Sequence, residues 1–380
     1  MCIRDSVEER RHEARVQLVG HGPRVVDRRV RERVRPARGL EAQVHDEGIV
    51  VPGYDADGAD DVEVGPEERE RLVDREPRLG LVGRAERVAP RDERWRALGE
   101  TPVRVAVAAS GASSLPRNVP AGLYPLYFDS ARARWTNSKV SVGAMGDSWY
   151  EYLLKVWVQG GRTEAMRGWL DAWTNAANGI LTHLIVDGND DDAFVASWDG
   201  GGLVHEMDHL SCFVGGMFCR GSGAGVTDQE KLYLETARKI TRTCYKMYAD
   251  SPTGIAPETI GFRGGTAHVG VKSNIQRPEA IESIFYMYRK TGDEMYREWA
   301  WEMFCAMRTQ YRTESGWTGL KDVRVNPPER DDVTQSFFFA ETLKYFYLIF
   351  ADGDVVHLDE WVFNTEAHPL RVRARKHSIV

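Results

Sequence analysis

The chain has 380 residues, of which 42% are hydrophobic, with 11 Trp, 14 Tyr and 13 Phe, so it can bury a core for one large domain or two smaller ones. Its formal net charge of −7 argues against a nucleic-acid-binding surface. No apolar run approaches the roughly 20 residues that span a bilayer. The first six residues lead into charged sequence, which is not typical of a signal peptide.

The cysteine content limits the number of covalent cross-links. The chain has five cysteines, at Cys2, Cys212, Cys219, Cys244 and Cys305. This number is too small for a disulfide scaffold, and because it is odd it leaves at least one thiol free. A single pair could still form, and it would indicate an oxidising compartment.

Residues 1–116 differ in composition from the remainder of the chain. The first Asn is Asn118, the first Phe is Phe128 and the first Lys is Lys139. The apolar residues of this segment show no sustained period of 3.6 or 2, which predicts disorder. Its basic residues are all Arg, and Val, Gly, Ala and Pro dominate, which also fits translation from another reading frame or a chimeric join. A genuine charged linker is the alternative.

Residues 117–370 show helical periodicity, and few stretches alternate as strands do. Helices are predicted at about 147–159, 163–184, 227–248, 278–291, 294–311 and 332–350. The succession of amphipathic or apolar helices with short loops predicts an all-α fold, a toroid or barrel of helical hairpins. A solenoid of paired helices is the less favoured alternative. Residues 371–380 are interpreted as a tail.

Two stretches resemble metal-binding motifs. Residues 187–192 (DGNDDD) have no Gly at the sixth position of a calcium loop and no Glu at the twelfth, so a solvated turn is predicted. The sequence His205-Glu206-Met207-Asp208-His209 matches H-E-x-x-H, in which two His on one helix face bind zinc and Glu206 acts as base. A zinc hydrolase is therefore an alternative function. The candidates for a third ligand are Glu230 and Glu235.

Residues 277–283 (RPEAIES) are predicted to form the first turn of a helix, because Pro278 is favoured at the first helical position. Glu279 and Glu282 share one face of this turn, where the helix dipole favours carboxylates. Such acids can carry out acid/base chemistry, and Arg277 could hold a carboxylate or a sugar hydroxyl. The alternative is an ordinary solvated first turn.

The chain contains six segments that recur together in one known family. They are GDSWYEYLLK (146–155), MDHLSCF (207–213), GIAPE (254–258), RPEAIESIFYMYRKTGD (277–293), SFFFAETLKYFYLIF (336–350) and VFNTEAHPL (362–370). In this order they resemble class I α-mannosidases, glycoside hydrolase family 47, and the processing enzymes of the ER and Golgi in particular. The resemblance implies an (α/α) barrel of seven helical hairpins, of which this chain carries the second half.

The resemblance implies inverting exo-hydrolysis of terminal α-1,2-linked mannose from high-mannose N-glycans. Inversion uses two carboxyl groups about 6.5–9.5 Å apart, with room for a water between them. Glu279 matches the base that activates this water, and Asp147 matches a second catalytic carboxylate. Thr365 matches the residue that binds Ca²⁺ through its hydroxyl and carbonyl oxygens.

Other residues match the family's sugar subsite and its disulfide. The implied subsite consists of Arg277, His209, Glu282, Phe337, Glu341 and Glu366. Glu151 and Glu258 match acids that lie behind it. The resemblance also implies a disulfide between Cys212 and Cys244, which would close a 32-residue loop and stabilise the fold by about 3–4 kcal/mol.

The chain departs from the family in two places. No Phe-Glu-x-x-Ile-Arg motif, which carries the usual candidate for the general acid, precedes Asp147. The sequence therefore predicts impaired hydrolysis, with a non-catalytic mannose-glycan-binding protein as the alternative. Met145 replaces the Arg of ER-type enzymes and predicts broader, Golgi-like trimming. The family implies an ER or Golgi lumenal location, with membrane attachment only through an N-terminal anchor that this chain does not contain.

Overall fold

The computed structural model describes residues 115–129, 134–223, 229–353 and 355–373, together with the backbone of two short strands. Contacts divide the chain into two units, one of Met1–Gly20 with Trp95–Val380 and one of His21–Arg94. In the latter, β1 Val44–His45 pairs antiparallel with β2 Gly48–Ile49. The prediction of a disordered or off-frame segment at 1–116 lies almost wholly outside the described residues. Within the described ranges, every helix is too short or too polar to span a bilayer.

Helices dominate the described part of the larger unit. They are α1 Asp147–Gln159, α2 Arg167–His183, α3 Phe213–Gly221, α4 Glu230–Ala249, α5 Glu279–Thr291, α6 Met295–Gln310 and α7 Leu343–Phe350. Short 3₁₀ turns, Glu164–Met166 and His209–Cys212, precede α2 and α3, and a π-helical turn, Phe338–Thr342, precedes α7. Five predicted helices are confirmed to within a few residues. The sixth, predicted at 332–350, is wrong at its start, because residues 331–335 are not helical.

The helix α3 lies at the centre of the packing, against both α4 and α5. Two glycines make this close approach sterically feasible. A Cβ atom at Gly215 would lie 2.6 Å from Thr241 Oγ1, and one at Gly216 would lie 2.7 Å from a ring carbon of Tyr286. In addition, the Gly216 amide donates to Ser283 Oγ at 2.7 Å. The first turn of α5 is therefore held in the middle of the core rather than at its surface.

Short strands, which the sequence did not predict, connect the helices. They are β3 Phe128–Asp129, β4 Arg134–Trp135, β5 Ile185–Asp187, β6 Ala193–Val195, β7 Ser197–Trp198, β8 Leu203–Val204, β9 Glu206–Asp208, β10 Thr259–Arg263, β11 Thr266–Val269, β12 Trp361–Phe363 and β13 Pro369–Arg371. Most form two-stranded antiparallel ribbons. β9, β10 and β11 form one antiparallel sheet, in which Thr259 pairs with Asp208 and Ile260 with Met207.

The acidic stretch 187–192 is more than the solvated turn that the sequence predicted. Asp192 is buried and forms ion pairs with Arg242 at 3.2 Å and Lys246 at 2.6 Å. Asp191 pairs with Arg238 at 2.6 Å. The β5–β6 ribbon thus packs its acidic turn against the basic face of α4, and this long-range match is not visible in the local sequence.

A disulfide joins Cys212, at the end of the 3₁₀ turn before α3, to Cys244 in α4, as the resemblance implies. The two Cα atoms lie 5.9 Å apart. Cys219 and Cys305 lie outside this disulfide, and burial raises the pKa of Cys219 to about 12. The disulfide therefore ties the 3₁₀ turn before α3 to α4.

Candidate active site

Acidic side chains from four separate elements lie within electrostatic reach of one another. Two of these elements are the first turns of α1 and α5, where the helix dipole stabilises a carboxylate. The third is the π-helical turn before α7, and the fourth is the turn between β12 and β13. The acids are Asp147 and Glu151 of α1, Glu279 and Glu282 of α5, Glu341 and Glu366. All six matched family acids by motif position, and the structure brings them together.

Glu279, the predicted base, is held from behind by a buried histidine. His209 Nδ1 lies 3.1 Å from Glu279 Oε2, and His209 Nε2 lies 2.8 Å from the hydroxyl of Tyr248. The imidazole of His209 is fully buried. Both nitrogens of the ring thus have protein partners, and the contact of His209 with the sugar stays a prediction.

The H-E-x-x-H interpretation of residues 205–209 is wrong in its geometry. Glu206–Asp208 forms β9, and His209 begins the 3₁₀ turn, so His205 and His209 do not share a helix face. The His205 carbonyl instead accepts a hydrogen bond from the Phe262 amide at 3.0 Å. In the described ranges, no group of three or more His, Cys, Asp or Glu side chains is arranged to hold a metal ion.

Arg277 is fixed beside Glu279 by an acid from another loop. Its Nε lies 2.6 Å from Glu258 Oε2, while Glu258 Oε1 accepts the Ile275 amide at 3.0 Å. Burial disfavours the guanidinium charge, but the Glu258 carboxylate outweighs burial, so the pKa of Arg277 is raised. Glu258 thus lies behind Arg277, in the supporting position that the family match implies.

Lys155 is a central residue that the sequence analysis missed. Its ammonium forms an ion pair with Glu151, lies 3.9 Å from Glu282 Oε1, and donates to the carbonyl of Asn364 at 3.3 Å. Burial opposes its charge, but the neighbouring carboxylates, with Tyr286, raise the pKa of Lys155. The i,i+4 spacing from Glu151 was visible in the sequence, but the burial of the pair was not.

Burial makes several of these acids hard to ionise. Burial raises the pKa of Glu282 to about 8; Lys155 opposes this shift, and neighbouring carboxylates add to it. Burial, followed by repulsion from Glu279 and Glu366, raises the pKa of Glu341 to about 8. Burial also raises the pKa of Asp147, with further repulsion from nearby acids. The cluster therefore carries more carboxyl groups than its surroundings can neutralise.

Thr365 lies in the exposed turn between β12 and β13. Asn364 Oδ1 shapes this turn by accepting the amides of Glu366 at 3.0 Å and His368 at 2.8 Å. The Thr365 amide donates to the hydroxyl of Tyr152 at 3.3 Å, which ties the turn to α1. A calcium ion prefers oxygen ligands, so a Thr hydroxyl and carbonyl beside carboxyl groups that repel one another fit such an ion.

Phe337 directly precedes the π-helical turn that carries Glu341, and it is partly exposed. An aromatic ring in this position offers an apolar face to the C–H side of a sugar. Of the sugar-subsite residues predicted from the sequence, Glu282, Glu341 and Glu366 belong to the acidic cluster, and Arg277 and His209 lie beside Glu279.

The described part of the chain is helix-rich and gathers carboxyl groups from several elements, and a pair of carboxyl groups is what most glycoside hydrolases use. The sequence profile of glycosyl hydrolase family 47 matches residues 101–372, and the chain belongs to this family. Both the predicted family and the predicted (α/α) barrel fold are confirmed.

Named relatives place the chain within the family. It is 44% identical over 265 residues to mannosyl-oligosaccharide 1,2-alpha-mannosidase MNS1 of Arabidopsis thaliana, covering 69% of this chain and 47% of the relative. It is 44% identical over 262 residues to mannosyl-oligosaccharide 1,2-alpha-mannosidase IA of Sus scrofa, covering 67% and 39%. The chain therefore spans less than half the length of these curated relatives.

A solved structure supports the same assignment. The alpha-1,2-mannosidase from Trichoderma reesei superposes with a TM-score of 0.64 at 29% sequence identity. The match covers 70% of this chain and 60% of the fungal one. The helical core described above is thus similar to part of a known α-1,2-mannosidase.

Proposed function

We propose that the chain carries the part of an inverting α-1,2-mannosidase that holds the catalytic base, and that its substrate is terminal α-1,2-linked mannose on high-mannose N-glycans. The observation that supports this most directly is the arrangement around Glu279. Its carboxylate lies at the first turn of α5, is hydrogen-bonded to His209, and interacts electrostatically with Asp147 of α1. Inverting glycosidases use such a pair of carboxyl groups.

In the proposed reaction, Glu279 takes a proton from a water molecule while the water oxygen bonds to the anomeric carbon. The glycosidic C–O bond breaks, its electron pair stays on the leaving oxygen, and this oxygen takes up a proton from solvent. Asp147 is the second carboxyl group of the site. Glu282 and Glu341, whose pKa values are raised to about 8, keep their protons near neutral pH and can donate hydrogen bonds to sugar hydroxyls. Arg277, held by Glu258, orients a further hydroxyl.

We propose Ca²⁺ as the cofactor, with the hydroxyl and carbonyl oxygens of Thr365 as its protein ligands. When bound, the ion would supply positive charge beside the acidic cluster and oxygen contacts for the sugar. The turn is tied to α1 through Tyr152 and Lys155 and to α7 through Lys344, which donates to the Ala367 carbonyl at 2.7 Å. These contacts fix the position of Thr365 before any ion binds.

A second candidate function is glycan binding without cleavage. One observation favours it: the sequence ahead of Asp147 lacks the Phe-Glu-x-x-Ile-Arg motif that carries the family's candidate acid. Without a group to protonate the leaving oxygen, the base and the sugar subsite could still bind mannose.

The two functions are separated by incubating the purified chain with a Man9 glycan. Mannose release that needs calcium and is inhibited by kifunensine supports the hydrolase. Calcium-dependent glycan binding without release supports the binding protein, and the absence of both contradicts the proposal.

We also propose a lumenal location in the ER or Golgi. The Cys212–Cys244 disulfide supports an oxidising compartment. Microscopy of the tagged protein from its native gene tests this location, and a cytosolic signal would contradict it.

A further inference from the structure

We infer that Tyr248 is a positioning residue, which fixes the tautomer of His209 so that Nδ1–H of the imidazole donates to the carboxylate of Glu279. This inference deepens the proposed function, because it rests on Glu279 as the base. It assigns a role to a tyrosine of α4 that is not itself one of the acidic residues of the site.

The three groups form a buried chain of hydrogen bonds. The Tyr248 hydroxyl lies 2.8 Å from His209 Nε2, and His209 Nδ1 lies 3.1 Å from Glu279 Oε2. The two rings meet edge to face, with centroids 5.7 Å apart. His209 is 0% exposed and Tyr248 is 2% exposed, so water cannot supply alternative partners from bulk solvent.

The direction of the first hydrogen bond follows from the tyrosine. Burial raises the pKa of Tyr248 well above its usual value, with the charges of Glu279 and Glu258 adding to the effect, so the hydroxyl keeps its proton. A buried hydroxyl hydrogen needs an acceptor. In the described part of the chain, His209 Nε2 lies within hydrogen-bonding distance of the Tyr248 hydroxyl and can accept this hydrogen. Nε2 must then be unprotonated.

The direction of the second hydrogen bond follows from the first. A neutral imidazole carries its one hydrogen on the nitrogen that does not accept, so His209 carries it on Nδ1. An ionised carboxylate can only accept, and Nδ1–H faces Glu279 Oε2. The arrangement thus presents a donor to Glu279 in the charge state that a general base requires.

The opposite arrangement has two disadvantages. If Nε2–H of a neutral imidazole donated to the Tyr248 oxygen, then Nδ1 could only accept a hydrogen bond. Glu279 would have to carry the proton of that hydrogen bond, and it could not then take one from water. The hydroxyl hydrogen of Tyr248 would also be left buried without an acceptor, which is unfavourable by about 1–3 kcal/mol.

The backbone holds the chain of hydrogen bonds in register. Cys244 lies one helical turn before Tyr248 in α4, and Cys212 closes the 3₁₀ turn that begins at His209. The disulfide between these cysteines clamps the two elements together beside the rings. In addition, the His209 amide donates to the Glu258 carbonyl at 2.8 Å.

The test is heteronuclear NMR on the full chain labelled with ¹⁵N-histidine, with the His209 signals assigned by their loss in His209→Gln. We expect the imidazole of His209 at neutral pH to carry its hydrogen on Nδ1 and to leave Nε2 unprotonated. Tyr248→Phe should shift the Nε2 resonance and populate the second tautomer. Tyr233→Phe is the matched control, because it removes a buried hydroxyl from the same helix without touching His209, and it should leave these signals unchanged.

A hydrogen on Nε2, a doubly protonated ring, or His209 signals that do not respond to Tyr248→Phe would overturn the inference. The assigned wild-type spectrum decides the tautomer even if Tyr248→Phe does not fold. None of these readouts needs turnover, so a chain that fails to release mannose contradicts the proposed hydrolase without affecting this result. In a chain that does release mannose, Tyr248→Phe should lower kcat at least about tenfold with little change in KM.

Discussion

The proposed chemistry depends on a single carboxylate, Glu279. Glu279→Gln keeps the size of the side chain and an oxygen that can accept from His209, but it removes the basic group. We expect kcat for mannose release to fall by about 10²–10⁴-fold, the range that general base catalysis typically contributes. Binding of the glycan, measured by calorimetry, should persist. Glu235→Gln, at an exposed position of α4, is the control and should leave kcat unchanged. Equal losses in both variants would contradict the role of Glu279.

Lys155 is expected to determine stability rather than chemistry. Lys155→Met leaves the Glu151 carboxylate buried without its ammonium partner, and breaking a buried ion pair in this way costs about 3–5 kcal/mol. Urea unfolding followed by circular dichroism measures the change. Lys231→Met breaks an exposed i,i+4 pair with Glu235 in α4 and should cost less than about 1 kcal/mol. Similar losses for the two variants would show that burial of the Lys155 pair has no energetic consequence.

The raised pKa of Glu341 predicts how stability changes with pH. The usual pKa of this carboxyl is 4.5 and its folded value is about 8, so between these pH values the folded chain binds a proton that the unfolded chain has lost. The contribution of Glu341 to stability is therefore greatest below about pH 4.5 and declines as pH rises through about 8. In calcium-free buffer, Glu341→Gln should make the fall in unfolding free energy between pH 5 and 8 shallower. The slope lost is at most about 1.4 kcal/mol per pH unit. An unchanged slope would contradict the shift.

At the scale of elements, the sequence predicted what local periodicity determines. The predicted bounds of α1 agree with the structure, because Asp147 and the following apolar face mark the helix without any tertiary information. Strands of two to five residues are too short to show alternation, and their pairing is decided by distant residues such as those that join β9 to β10. The same limit explains His205–His209, where pairing with β10 overrides a motif that is familiar from helices.

The end of α5 offers a test of helix termination. Gly292 has φ of +67° and caps the helix through its amide, which donates to the Tyr288 carbonyl at 2.8 Å. A Cβ at this position would meet no atom within 4 Å, so Gly292→Ala tests backbone conformation alone. We expect a loss of about 1 kcal/mol in unfolding free energy, measured with urea. Gly316 also has open space but no positive φ, so Gly316→Ala should be within about 0.5 kcal/mol of wild type. A Gly292→Ala variant as stable as Gly316→Ala would contradict the strain argument.

At the scale of the molecule, the sequence indicated which acids belong to the site, but not how they are neutralised. Asp147 and Glu279 were predicted from motifs, since their residue types and order are visible in the chain. The partners Lys155 and Tyr248 were not, because each is one polar residue on a helix, and its contact with a distant acid exists only after packing. The hydrogen bond of His209 with the proposed base was likewise not visible in the sequence. The motifs thus identify the acids of the site, whereas the packing of the surrounding core determines its electrostatics.

The disulfide is the covalent feature that links the core to the site, and it provides a test on the whole molecule. Cys212 and Cys244 are 32 residues apart in sequence, so the cross-link restricts the unfolded chain and should contribute about 3–4 kcal/mol by chain entropy. We expect Cys244→Ala to lower the unfolding free energy by about that amount under oxidising conditions. Cys305→Ala removes a cysteine that lies outside this disulfide and is the control.

Reduction distinguishes the contribution of the cross-link to stability from the contribution of the packing of the cysteine side chain. In dithiothreitol the unfolding free energy of the wild-type chain should fall close to that of Cys244→Ala, because both chains then lack the covalent loop. A difference that survives reduction would assign the stability to side-chain packing between α3 and α4 instead. The same disulfide clamps α4 to the turn that begins at His209, so reduction should also weaken the Tyr248–His209 hydrogen bond. The histidine NMR signals of the reduced chain measure this effect independently of global unfolding.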